Sequence, residues 1–171
     1  TLFPYTTLFR SHPDSWLLDS LGSEIADLQS DKNRLKVTLA ECSRRAWENG
    51  GMGVGDLSYY NKGLVVGLLL DALIRTRTNG KKSLDDVMRL MYSKYKLPGA
   101  GYEEDGILKA LNQVAGQDLL EVYDKMVYST DELPYSLLAG LGLQFDGRTL
   151  KPLPAVTAEA QARRSEWLKR P

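Results

Sequence analysis

Apolar residues in this chain recur mainly at three- and four-residue intervals, and the polar breaks between those runs divide it into a succession of helices. Trp16, Leu17, Leu21, Ile25 and Leu28 share one face of a first helix, in which Gly22 is a weak point. After the break from Ser30 to Asn33, the positions Leu35, Leu39, Cys42, Ala46 and Trp47 continue the period. They predict a second amphipathic helix stopping at Asn49-Gly50-Gly51. Asp56 and Ser58 are N-cap candidates for a third helix that ends in Arg75, Arg77 and Asn79-Gly80, where cations suit the helix dipole. From Leu64 to Ile74 this helix is apolar on nearly every side, so other elements must enclose it.

Ser83 followed by Leu84-Asp85-Asp86 caps a fourth helix whose inner face is Val87, Leu90, Met91 and Tyr95, and which stops at Pro98-Gly99. Tyr102-Glu103-Glu104-Asp105 puts acids in the first turn of a fifth helix reaching Leu111 and Val114, and Gly116 separates it from a sixth over Leu119 to Val127. Leu133 to Leu141 adds a helical turn or two, and Leu143 to Phe145 before Asp146-Gly147 reads as a single strand entering a turn. Lys151-Pro152-Leu153-Pro154 reads as an extended linker, and Ala158 to Leu168 as a charged, peripheral helix. The fold class is mainly α, a multi-helix bundle, with no internal repeat to suggest a solenoid.

Composition narrows the function classes. At 171 residues and 43% hydrophobic, the chain suits one sizeable core. Lysine plus arginine and aspartate plus glutamate both total 22, so no net field recruits nucleic acid. The longest apolar run is broken by Asp71 and falls short of the ~20 residues of a bilayer span, so no membrane span is expected. Cys42 is the only cysteine, which excludes an internal disulfide and leaves the compartment open. His12 is the only histidine, so a His-Glu-x-x-His zinc site cannot be completed, and a Ser-His-Asp or Cys-His set would have to use it. His12 also adjoins the segment Thr1 to Ser11, which resembles the translated read-through of a sequencing adapter and is set aside as an artefactual leader.

Ser58-Tyr59-Tyr60-Asn61-Lys62-Gly63 places polar aromatic chemistry at the mouth of the enclosed helix. A phenol there can keep its ring packed while its hydroxyl reaches a cleft, or it can simply pack and cap. Consecutive positions on a helix diverge, so Tyr59 and Tyr60 do not face one point, and one of them is a packing residue. Lys62 either orients a carboxylate or plays a structural, solvated part; Gly63 permits a close helix approach; Asp71 pairs with Arg75 one turn on. The glycines at 50, 51, 53 and 55 lack the Gly-Lys-Ser/Thr ending of a phosphate loop and form a tight connection instead. Glu103, Glu104 and Asp105 crowd a helix start for dipole reasons rather than to hold a metal. Cys42 reads as a small core residue without a basic partner.

The run Ser58 to Gly63 with Leu64 to Arg75 resembles the helix that follows the zinc site in the glycyl aminopeptidase family, gluzincin metallopeptidases. Lys82-Ser83-Leu84-Asp85-Asp86-Val87-Met88, Gly101-Tyr102-Glu103-Glu104-Asp105, Thr130-Asp131-Glu132-Leu133-Pro134-Tyr135 and Gly140-Leu141-Gly142-Leu143 match in the same order, as does Ala40-Glu41-Cys42-Ser43 with Ala46-Trp47 upstream. The resemblance covers residues 14–146. It implies a thermolysin-like catalytic domain, with zinc held by two histidines of a His-Glu-x-x-His helix and a distal glutamate, and often a PDZ domain beyond. None of those zinc ligands is in this chain. It would then be the C-terminal helical lobe of a catalytic domain, an orthogonal bundle that binds no metal itself and docks on an N-terminal lobe of the same protein. Residues 147–171 would be a linker and peripheral segment. By the same resemblance Tyr60 is the catalytic tyrosine, donating a hydrogen bond to the oxyanion of a peptide substrate, and Tyr59 is a substrate-binding candidate. A non-catalytic helical protein-interaction module is the alternative.

Overall fold

A computed structural model describes residues 13–46, 57–99 and 101–169. His12, Trp47, Asp56, the leader and the glycine loop at 50–55 lie outside the described residues. The chain is mainly helical: α1 (Asp14–Ser30), α2 (Leu39–Arg44), α3 (Tyr59–Arg77), α4 (Leu84–Tyr95), α5 (Gly106–Ala115), α6 (Leu120–Val127), a 3-10 helix (Tyr135–Leu141), the strands β1 (Leu143–Phe145) and β2 (Leu150–Pro152), and α7 (Ala158–Leu168).

α3 is the hub, packing against α1, α2, α4, α5, α7 and the 3-10 helix. Its apolar run explains this: Val65, Val66, Leu68, Leu69, Leu70, Ala72, Leu73 and Ile74 are all buried, so every side of the helix needs a neighbour. Ser58 caps its start, its Oγ accepting from Asn61 N at 3.3 Å, and the chain turns away through Asn79 and Gly80, both at positive φ. α4 begins with the expected cap, Asp86 Oδ2 accepting from Ser83 N at 2.9 Å.

Three elements depart from the sequence pattern. The second helix is only Leu39–Arg44, because Thr38 Oγ1 caps it by accepting from Glu41 N at 3.0 Å, and residues 31–36 form turns instead. Asp31 Oδ1 starts those turns by accepting from Asn33 N at 2.7 Å. The acids at 103–105 precede α5 rather than forming its first turn, since the chain turns there with Gly106 N donating to Glu103 O at 2.8 Å. The supposed linker contributes β2, which pairs antiparallel with β1 in the register Leu143 with Pro152, Gln144 with Lys151 and Phe145 with Leu150. The division placed at 146/147 therefore falls inside a hairpin.

Asp146 builds that hairpin's turn. Its carboxylate accepts from Lys151 Nζ at 2.5 Å and from the backbone N–H groups of Thr149 and Arg148. The Lys151 ammonium, then those amides, hold its carboxyl well below the usual range. α1 lies directly on the hairpin at Gly22: a Cβ there would sit 2.4 Å from Thr149 Cα. The glycine that weakens α1 is what lets the hairpin seat. α7 is joined by its arginines, Arg163 Nε donating to Gly140 O and Arg164 Nη1 to Gly142 O, both at 2.8 Å. Ala160 and Trp167 pack inward.

Candidate functional site

The first turn of α3 is held from several directions. Besides the Ser58 cap, Asn61 Nδ2 donates to Glu24 Oε2 at 2.6 Å and to Glu24 O at 2.9 Å, tying α3 to α1. Lys62, 1% exposed, sends its ammonium to the carbonyl oxygens of Arg34 and Val37, each at 3.0 Å. Arg34 in turn pairs with Glu132 at 3.1 Å, which brings the approach to the 3-10 helix into the same network.

Lys62 is thus structural, but buried rather than solvated. Burial lowers its pKa, while Cys42, Glu132 and Asp31 pull it back up. Lys62 is buried because the segment between α1 and α2 folds over the first turn of α3 and supplies both of its acceptors. Cys42 is fully buried in the core with its thiol donating to Leu57 O at 3.2 Å. Gly63 is not a close-approach residue: a Cβ there would meet only Leu39 Cδ1, at 4.0 Å.

On this fixed turn the two tyrosines divide. Tyr59 is partly buried against the core, and Tyr60 is 72% exposed. Their rings nevertheless touch, with centroids 4.2 Å apart and planes tilted by 32°, so neighbouring positions share one aromatic surface despite the helical divergence. The Tyr60 phenol first, and burial second, raise the pKa of Tyr59, keeping it a proton donor through neutral pH. Leu64, one turn beyond Tyr60, is 42% exposed and extends that surface.

The arrangement can offer a hydroxyl to a negatively charged oxygen from a rigid backbone. Cavities of roughly 320 to 440 Å³ occur elsewhere on the described surface, and none of them is lined by Tyr59 or Tyr60. Glu103 and Asp105 pair with Lys109 at 2.8 and 2.9 Å, and among the described residues no three His, Cys, Asp or Glu side chains form a group able to hold a metal ion. No described helix is long and apolar enough to cross a membrane. The Tyr135 hydroxyl is sealed without a hydrogen-bond partner, and burial, then Glu132, pushes its pKa up to about 12. No protein-family model, curated protein or solved structure matches the chain.

Proposed function

We propose that this chain is the helical part of a zinc-dependent aminopeptidase, in which Tyr60 donates a hydrogen bond to the oxyanion formed at the carbonyl of a peptide's N-terminal residue. The ordered motifs from Ser58 to Leu143 suggest the reaction. The observation that carries it is an exposed phenol on a helix start pinned by Ser58, Asn61 and Lys62. A donor contributes to a transition state when it is already oriented; three anchors within five residues fix the backbone that carries this one, and its ring rests against that of Tyr59. The described residues do not fit a zinc site, so the metal would be held by other residues of the enzyme, and only the part played by the phenol is derived from this chain.

Tyr60→Phe keeps the ring and removes the hydroxyl. In the complete enzyme it is expected to lower kcat by about 10²- to 10³-fold, the cost typical of one oxyanion donor, with KM changed only a few-fold. An unchanged kcat would remove Tyr60 from the mechanism.

The second reading, a non-catalytic interaction module, is favoured by Leu64, whose exposed apolar side chain continues the Tyr59–Tyr60 surface. Its occupant would be another lobe of the same protein. Leu64→Glu would then abolish association that Tyr60→Phe leaves intact.

A further inference from the structure

The turn that closes α3 carries an Asn-Gly pair, Asn79-Gly80. Asparagine is among the chemically labile residues, and before glycine its amide carbon is easiest to reach, since glycine puts no side chain in the way. We infer that Asn79 is a latent deamidation site that Arg163 of α7 keeps shut. This inference is independent of the peptidase reading.

The reaction has two steps. Gly80 N gives up its proton to solvent and attacks Asn79 Cγ; the N–Cγ bond forms, the Cγ–Nδ2 bond breaks, and Nδ2 takes up a proton and leaves as ammonia. Water then adds to either carbonyl carbon of the resulting succinimide and opens it, leaving aspartate or isoaspartate. Nothing is oxidised or reduced. The first step needs a free Gly80 nitrogen and an Asn79 amide that can move onto it.

The fold withholds both. α3 ends in a Schellman motif, in which Asn79 N donates to Thr76 O at 3.3 Å and Gly80 N donates to Arg75 O at 2.7 Å. Gly80 N must abandon that short bond before it can react. On the other side, Arg163 Nη1 donates to Asn79 Oδ1 at 3.1 Å while its Nε is fixed on Gly140 O at 2.8 Å. The arginine stem also crosses the glycine, since a Cβ on Gly80 would lie 3.5 Å from Arg163 Cγ. One side chain from a distant helix thus covers both reacting residues. Water is not what is lacking: Asn79 is exposed and borders a hollow of roughly 330 Å³ that Gly80, Ala162 and Arg163 also line.

A guanidinium on an amide oxygen has a second effect, of opposite sign, because it draws electrons from Cγ and favours attack. Here the contact is exposed, where solvent screens such polarisation, so holding the amide in place is the larger effect. The direction of change in an Arg163 variant decides between the two.

The test is peptide mapping by mass spectrometry of the full chain aged in mildly alkaline buffer, scoring the amide-to-acid conversion at Asn79. In the folded wild type it should run at least about 10-fold slower than in urea, because the reaction waits on local opening. Arg163→Met should speed it about 3- to 10-fold, the population change expected for one lost hydrogen bond to a charged group. Arg163→Lys keeps a charge and most of the stem, guards against a variant that merely fails to fold, and should fall between. Arg164→Met is the matched control, since Arg164 fastens α7 to Gly142 O at the same 2.8 Å, and it should leave the Asn79 rate unchanged. Equal rates in folded and urea-treated chain, an unchanged or slower rate in a folded Arg163 variant, or equal acceleration in Arg164→Met would overturn the inference.

Discussion

The Lys62 ammonium donates to the carbonyl oxygen of Arg34 across 3.0 Å, and through it the turn between α1 and α2 is fastened to the first turn of α3. Val37 O takes a second N–H of the same group. An ion this deep in a core is costly to desolvate, yet removing it would strand two carbonyls that the turn cannot satisfy internally.

Lys62→Met tests which of these dominates. Two carbonyls without donors cost about 1–3 kcal/mol each, and the desolvated charge that disappears returns part of this. We expect a net loss of about 1–3 kcal/mol in urea unfolding at neutral pH. The pH dependence carries a second sign. Burial sets the folded-state pKa of Lys62 below its ordinary 10.5, so the unfolded chain binds the proton more tightly. The Lys62 contribution to stability therefore rises with pH from that depressed pKa towards 10.5, and is smaller below it. A neutral amine still has two N–H groups for two carbonyls. The stability gap between the wild type and Lys62→Met should widen as pH approaches 10, with the tyrosines cancelling in the difference. Parallel curves would show that Lys62 is not perturbed.

What the sequence disclosed was what neighbouring residues decide. The Ser58 and Ser83 caps, the Asn79-Gly80 stop and the Asp71–Arg75 pair all lie within a turn of their partners, so spacing alone finds them. Lys62 is different, since its acceptors lie 25 and 28 residues back, in a stretch whose apolar period reads as helix. Gly22 registers in sequence only as a helix defect, because its reason is Thr149 on a distant hairpin. The prolines at 152 and 154 hid β2, yet Pro152 stands at the end of a two-stranded ladder, where a missing N–H is tolerated.

Two glycines in helices should respond oppositely to alanine. Helix propensity favours Ala over Gly by about 0.5–1 kcal/mol at both. At Gly63 nothing opposes it, the nearest atom to a new Cβ being Leu39 Cδ1 at 4.0 Å, so Gly63→Ala should raise stability by up to about 1 kcal/mol. At Gly22 the new Cβ would meet Thr149 Cα at 2.4 Å and Leu150 N at 2.8 Å, backbone atoms of a paired strand and its turn. Gly22→Ala should cost about 1–3 kcal/mol by overpacking, and thermal melts of the two variants should move in opposite directions. A stabilised Gly22→Ala would mean that the α1–hairpin contact is looser than the geometry indicates.

Asp71 divides its two oxygens between different tasks. Oδ2 accepts from Arg75 Nε at 2.8 Å within α3, and Oδ1 accepts from Leu84 N at 2.8 Å, one of the backbone donors left open at the start of α4. Both ionic side chains are largely buried, so the pair is less screened than a surface ion pair. Asp71→Ala should therefore cost about 2–3 kcal/mol, and Asp71→Asn about half as much, because an amide oxygen still accepts from Leu84 N while the charge is lost. The two tasks separate in a cycle with Arg75→Met. In that background Asp71→Ala should still cost about 1 kcal/mol, the share owed to Leu84, and the remainder is the coupling to Arg75. If Asp71→Ala costs nothing once Arg75 is gone, the bond to Leu84 contributes no stability, and the docking of α4 on α3 rests on its apolar contacts alone.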